Sequence, residues 1–202
     1  HGSAIDYFGR FNFKNMAITN QAGATTGRVG ISCQYNRFNT FENIYLEGWE
    51  TGLSFTALSW MTTFRNVQAY NNVTGLTIYT GGEDCILGRS ITGYNTTGLI
   101  INQSKANTLI KTDLSNNNVG LVLYGDTGIS SQADIIGCIM EDNDTACITV
   151  NFGTTVADDL PVLNVIGGRY RQSSSHVTSF PNAVMVSATK ARNIKIQGID
   201  NA

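Results

Sequence analysis

A short phrase returns along this chain at a near-constant interval. It reads "VGIS" at Gly30, "TGLSF" at Gly52, "TGLTI" at Gly75, "TGLII" at Gly98 and "VGLVL" at Gly120, with spacings of 22, 23, 23 and 22 residues. Eleven residues before each of the last four glycines a second apolar phrase begins: "FENIYL" from Phe41, "FRNVQA" from Phe64, "LGRSIT" from Leu87 and "LIKTDL" from Leu109. "FKNMAI" from Phe13 is an earlier copy, and "IIGCIM" from Ile135, "LNVIGG" from Leu163 and "IKIQGI" near Ile194 are looser later ones. A fixed period in this range is the mark of a solenoid, in which each repeat buries its apolar face against the next.

The phrases alternate in polarity. Leu53 and Phe55 flank Ser54, Leu76 and Ile78 flank Thr77, and Ile44 and Leu46 flank Tyr45. Period-2 alternation over short runs predicts strands, and no stretch sustains the 3.6-residue pattern of a helix. A leucine-rich repeat shares the period but needs a Leu/Asn framework that is missing here, and the strands of a β-sandwich have no reason to hold one interval through so many copies. The expectation is an all-β fold, a single-chain parallel β-helix of about eight coils over residues 4–202, after a tag remnant at 1–3. Asn72, Asn95, Asn117 and Asn143 fall at one position of successive coils, where stacked amides can pass hydrogen bonds along the axis. The recurring glycine is expected to supply a backbone angle that other residues resist. Turn-rich stretches at 151–162 and 171–182 read as projecting loops. The last phrase, "GIDNA", stops in mid-coil, which predicts a piece of a longer array or a member of an oligomer that covers its ends.

Charged residues are only 14% of the chain and the formal net charge is −2, so no basic footprint points to nucleic acid. No apolar run approaches a membrane span. Cys33, Cys85, Cys138 and Cys147 lack paired or metal-ligand spacing and read as reduced core residues, compatible with assembly in a reducing cytoplasm.

The coils "TFENIYLEGWETGL" and "TFRNVQAYNNVTGLTI" resemble those of bacteriophage tailspikes and capsular depolymerases of the pectate-lyase-like superfamily. The likeness covers most of residues 11–150 and lies in the repeat grammar. It implies a right-handed β-helix, often a homotrimer in a virion tail, that binds and frequently cleaves a bacterial surface polysaccharide. The alternative is a non-catalytic rod of a tail fibre or a secreted or cell-surface protein. No catalytic motif of polygalacturonases or pectate lyases is legible, so no family site carries over.

Equivalent positions on consecutive coils form rows spaced about 4.8 Å apart. The row after each "TGL" strand holds Trp60, Glu83 with Asp84, Lys105 and Asp126, flanked by Tyr79 and Tyr124. Asp84 and Asp126, two coils and so roughly 10 Å apart, could serve as acid and base of an inverting glycosidase, with Glu83 beside them. Lys105 could lower one pKa or bind an acidic sugar, while Trp60 and the tyrosines offer flat faces to sugar rings. The bland reading is that "GGED" and "YGDTG" are ordinary acidic turns. A second row after the "FxN" strand holds Glu47, Trp49, Glu50, Tyr70, Tyr94, Glu141, Asp142 and Asp144, and reads as a binding surface, with Trp49 and Tyr70 as substrate contacts. No cofactor or metal is expected: "EDND" at 141–144 lacks the spacing of a calcium loop, and His176 stands apart from any nucleophile phrase.

Overall fold

The structure is a computed structural model, and it describes residues 11–23, 26–35, 37–56, 60–79, 84–125, 131–152, 162–171, 184–188 and 193–198. The elements in chain order are β1 (Asn12–Thr19), β2 (Val29–Gln34), β3 (Thr40–Glu47), β4 (Thr51–Thr56), β5 (Thr63–Tyr70), β6 (Thr74–Ile78), β7 (Ile86–Gly88), β8 (Ile91–Gly93) and β9 (Thr97–Asn102). They continue as β10 (Asn107–Ile110), β11 (Val119–Gly125), β12 (Gln132–Ile136), β13 (Ile139–Glu141), β14 (Ala146–Phe152), β15 (Val162–Ile166), β16 (Arg169–Arg171), β17 (Val184–Ala188) and β18 (Asn193–Gln197).

Every pairing between these strands is parallel. One sheet runs β1-β3-β5-β7-β10-β12-β15-β18, and a facing sheet runs β17-β14-β11-β9-β6-β4-β2. The chain alternates between the two, and the eight rungs of the first sheet with the seven of the second, among the described residues, build about eight coils of a right-handed parallel β-helix. The interior is built from files. Ile31, Leu53, Leu76, Leu99, Leu121 and Ile148 pair in register down the second sheet, and Leu53 through Ile148 are buried. Opposite them run Phe13, Phe41, Phe64, Leu87, Leu109, Ile135 and Val165. Phe41 stacks between Phe13 and Phe64 at 4.8 and 5.5 Å, and Phe55 meets Phe41 and Phe64 edge-on from the other sheet. The last two coils are displaced from the sequence reading by one pleat: Val165 and Ile196, rather than Leu163 and Ile194, continue the phenylalanine file. A two-residue slip keeps the same face inward, which is why periodicity alone does not detect it.

The asparagine file is a ladder. Oδ1 of Asn72, Asn95, Asn117 and Asn143 accepts the backbone N–H one coil earlier, from Trp49 (2.8 Å), Asn72 (2.8 Å), Asn95 (3.1 Å) and Asn117 (3.0 Å). Nδ2 of Asn95 and Asn117 also donates at 3.0 Å to the Ala69 and Thr92 carbonyls. Trp49 occupies the same position at the start of the ladder, and its indole N–H donates to the Ile18 carbonyl at 3.1 Å, as the amides do in later coils.

The recurring glycines do something other than expected. Gly30, Gly52, Gly75, Gly98 and Gly120 are absent from the residues with positive φ. A Cβ built on each would lie 2.6–2.7 Å from the backbone oxygen of the next residue in the file: Gly52, Gly75, Gly98, Gly120 and Cys147. These glycines are needed for close approach between coils rather than for an unusual backbone angle. The left-handed angles lie elsewhere. One row of Asn15, Asn43, Asn66, Arg89, Lys111, Gly137, Gly167 and Gly198 has φ between 49° and 61° in every coil. That bend places Phe41 and Ile44, three residues apart, both inward.

Candidate functional site

The bend row creates a basin on the outer face of the first sheet. It has a volume of about 630 Å³, an apolar floor from Ile86 and Ile110, and a rim carrying Arg65, Arg89 and Lys111 from three successive coils. Gly88, between Arg65 and Ile110 in their outward row, leaves the hollow. At one end Glu42 is ion-paired with Lys14 at 2.8 Å, and that hydrogen bond and charge hold its carboxyl below the usual range. The outward amides of Asn15, Asn43 and Asn66 form a second, exposed ladder along this edge, each link 2.9 Å. Arg65 lies opposite Glu42 in the register and its charge also lowers that carboxyl, so Arg89 and Lys111 are the cations of the hollow that form no ion pair among the described residues.

The residues chosen from sequence fall at two other corners. Asp84 and Lys105 meet at the corner between the second and first sheets, where the Asp84 N–H donates to the Lys105 carbonyl at 3.3 Å. Trp60 lies at this corner with the Arg37 guanidinium 4.0 Å over its ring, so one of its faces is covered. Tyr79 and Tyr124 share one outward row, two coils apart with Asn102 between them. Glu83 and Asp126 lie outside the described residues, as do His176 and most of the two late loops.

The second group gathers at the ladder corner and is tied down there. Trp49 is engaged in the ladder, Glu50 accepts from the Gly27 N–H, and Glu47 accepts from Tyr45 Oη (2.9 Å) and Asn71 Nδ2 (2.8 Å). Tyr70 lies across Gly93; burial raises its pKa first, and the nearby charges of Asp113 and Tyr94 add to that. Glu141 is bonded by Arg169 at 2.6 Å and approached by Arg171 at 3.5 Å. Asp142, Asp144 and Tyr94 line a groove of about 780 Å³ beside the ladder. Sequence reasoning missed Arg65, Arg89 and Lys111. The available signal was the third position of each "FxN" phrase, which changes from Asn to Arg and Lys at residues 89 and 111.

All four cysteines are buried free thiols. Burial pushes Cys33, Cys138 and Cys147 up to about 11 and Cys85 up to about 12. A thiolate is the reactive form, so the folded protein should resist iodoacetamide at about pH 8 and be labelled at all four sites once denatured. Mass spectrometry of the two samples checks this, and rapid labelling of the native protein would contradict the burial.

A family model described as Periplasmic copper-binding protein (NosD) matches residues 2–137. No curated protein matches the chain. Among solved structures, the A-module of the Azotobacter vinelandii mannuronan C-5 epimerase AlgE4 is similar with a TM-score of 0.62 at 15% identity, over 96% of this chain and 56% of that one. The A-module of AlgE6 from the same organism gives 0.55 at 14% identity, over 96% and 58%. A variant of the periplasmic alginate epimerase AlgG gives 0.52 at 14%, over 85% and 47%. The chain thus spans about half the length of the structures it matches. At such identities the likeness establishes the coil architecture.

Proposed function

We propose, from the premise that this chain belongs to the family described as Periplasmic copper-binding protein (NosD), that its basic basin binds an acidic polysaccharide. Copper is not the ligand that its described residues fit. No three His, Cys, Asp or Glu side chains among them converge on one point. Cys33 and Cys85 sit on different coils from Cys138 and Cys147, and the last two donate as thiols to the Leu109 and Met140 carbonyls. The observation that supports an acidic glycan is the placement of Arg89 and Lys111. Both hold left-handed φ angles (52° and 49°) in a row where the other coils use Asn or Gly, the residues that accept that angle easily. Two exposed cations at strained positions over an apolar floor suit a sugar chain, with its C–H faces on Ile86 and Ile110 and its carboxylates at the rim.

Cleavage is not part of this reading, because an inverting pair needs two carboxylates roughly 6.5–9.5 Å apart and Glu42 is the one described acid of the basin. In its finer form, which rests on the coil phrases, the domain belongs to a tailspike-like homotrimer meeting a bacterial surface polysaccharide. The periplasmic description of the family likewise favours a setting outside the cytoplasm. The double variant Arg89→Asn/Lys111→Asn keeps the turn chemistry of Asn43 and Asn66. It should lose about tenfold in affinity for oligogalacturonate at low salt, from two exposed charge pairs of roughly 0.5–1 kcal/mol each. Titration calorimetry at two salt concentrations reads this, and equal affinity of variant and parent removes the proposal.

A further inference from the structure

The groove beside the Asn ladder has a different chemistry. One of its walls is a second row of left-handed residues: Asn71, Tyr94, Asn116 and Asp142, with φ of 54° to 57°, following Gly48 at 80°. Gly, Asn and Asp take this angle easily and a tyrosine takes it at a steric cost, as Tyr35 and Phe38 also do at another corner. Burial does not compensate it, since Tyr94 is 66% exposed. Facing it across the buried ladder run Thr96 and Asn118. What sets Tyr94 apart is that its ring stands in solvent, on a strained backbone, within a groove-lining row otherwise made of Gly, Asn and Asp, and strain kept at such a place is the kind that marks a ligand contact.

We infer that this groove binds a neutral, hydroxyl-rich oligosaccharide lying along the helix axis. The ring of Tyr94 presents a flat face to the C–H side of a pyranose. Amides and hydroxyls recur on each coil, about 4.8 Å apart, and can both donate to and accept from sugar hydroxyls. Asp142 and Asp144 at one end accept hydroxyl protons and repel carboxylates, so the groove excludes the acidic chains suited to the basin. The inference stands on this corner alone and does not depend on the basin. Its test is titration and saturation-transfer NMR with cellohexaose, mannohexaose, maltohexaose and hexagalacturonate, on the native chain and on Tyr94→Asn, which installs the residue found one coil to either side. At least one neutral hexamer should bind the native protein and bind the variant at least about tenfold more weakly. The melting temperature of the variant should be equal or a few degrees higher (about 2–4 °C), and its hexagalacturonate affinity unchanged. Absence of neutral-sugar binding to the native protein at millimolar ligand, equal binding by Tyr94→Asn, or loss of neutral and acidic ligands together overturns the inference.

Discussion

Asn95→Ala is expected to destabilise the protein by about 3–5 kcal/mol, among the larger effects of a single polar truncation. The Asn95 side chain serves three partners. Its Oδ1 accepts the Asn72 backbone N–H at 2.8 Å, and Nδ2 donates to the Ala69 carbonyl and Asn117 Oδ1, each at 3.0 Å. Asn72, Asn95 and Asn117 are buried, so water cannot replace what alanine removes. Each stranded buried donor or acceptor costs about 1–3 kcal/mol, and at least two are stranded. The exposed Asn118 nearby gives the contrast: Asn118→Ala should stay within about 0.5–1 kcal/mol. Urea unfolding of both variants at constant slope measures the difference. A loss at Asn95 no larger than at Asn118 would mean that the ladder is ornamental.

Gly98→Ala is expected to cost about 3 kcal/mol or more and to lower the yield of folded protein. An added methyl would meet the Gly120 carbonyl oxygen and Thr92 Oγ1 at 2.6 Å and Asn117 Nδ2 at 3.0 Å. The first of these is backbone on the next coil, which cannot move without opening the stack. Gly88→Ala is the matched control, because its Cβ would find nothing closer than the Phe64 oxygen at 3.7 Å and its φ is ordinary. That substitution should be neutral or stabilise by about 0.5 kcal/mol, since alanine loses less backbone entropy on folding. Thermal unfolding of the pair separates close approach from backbone angle as the reason for the glycine file: equal tolerance at residues 88 and 98 would remove the close-approach account.

The architecture was legible because a β-helix writes its tertiary contacts into the sequence at one offset. Leu53, Leu76, Leu99 and Leu121 share a file because each pairs with its counterpart 22 or 23 residues away, and the same offset aligns the ladder asparagines. The site was much less legible. The phrases that drew attention were acids and aromatics in turns, and the structure ties several of them down: Trp49 in the ladder, Trp60 under Arg37, Glu47 to Tyr45 and Asn71, Glu141 to Arg169. A side chain's partners across a corner depend on how that corner bends, and the repeat does not encode this.

The sequence alone determined the coil, the ladder and the inward files as far as Ile135 and Ile148, since a repeated pattern of apolar and amide residues has one low-energy way to stack. Only the tertiary structure decided what the glycines are for and which outward residues meet. The first depends on coils stacked so closely that a Cβ on these glycines would lie 2.6–2.7 Å from the next coil's carbonyl oxygen, and the second on left-handed bends that turn Arg89, Lys111 and Tyr94 outward into grooves.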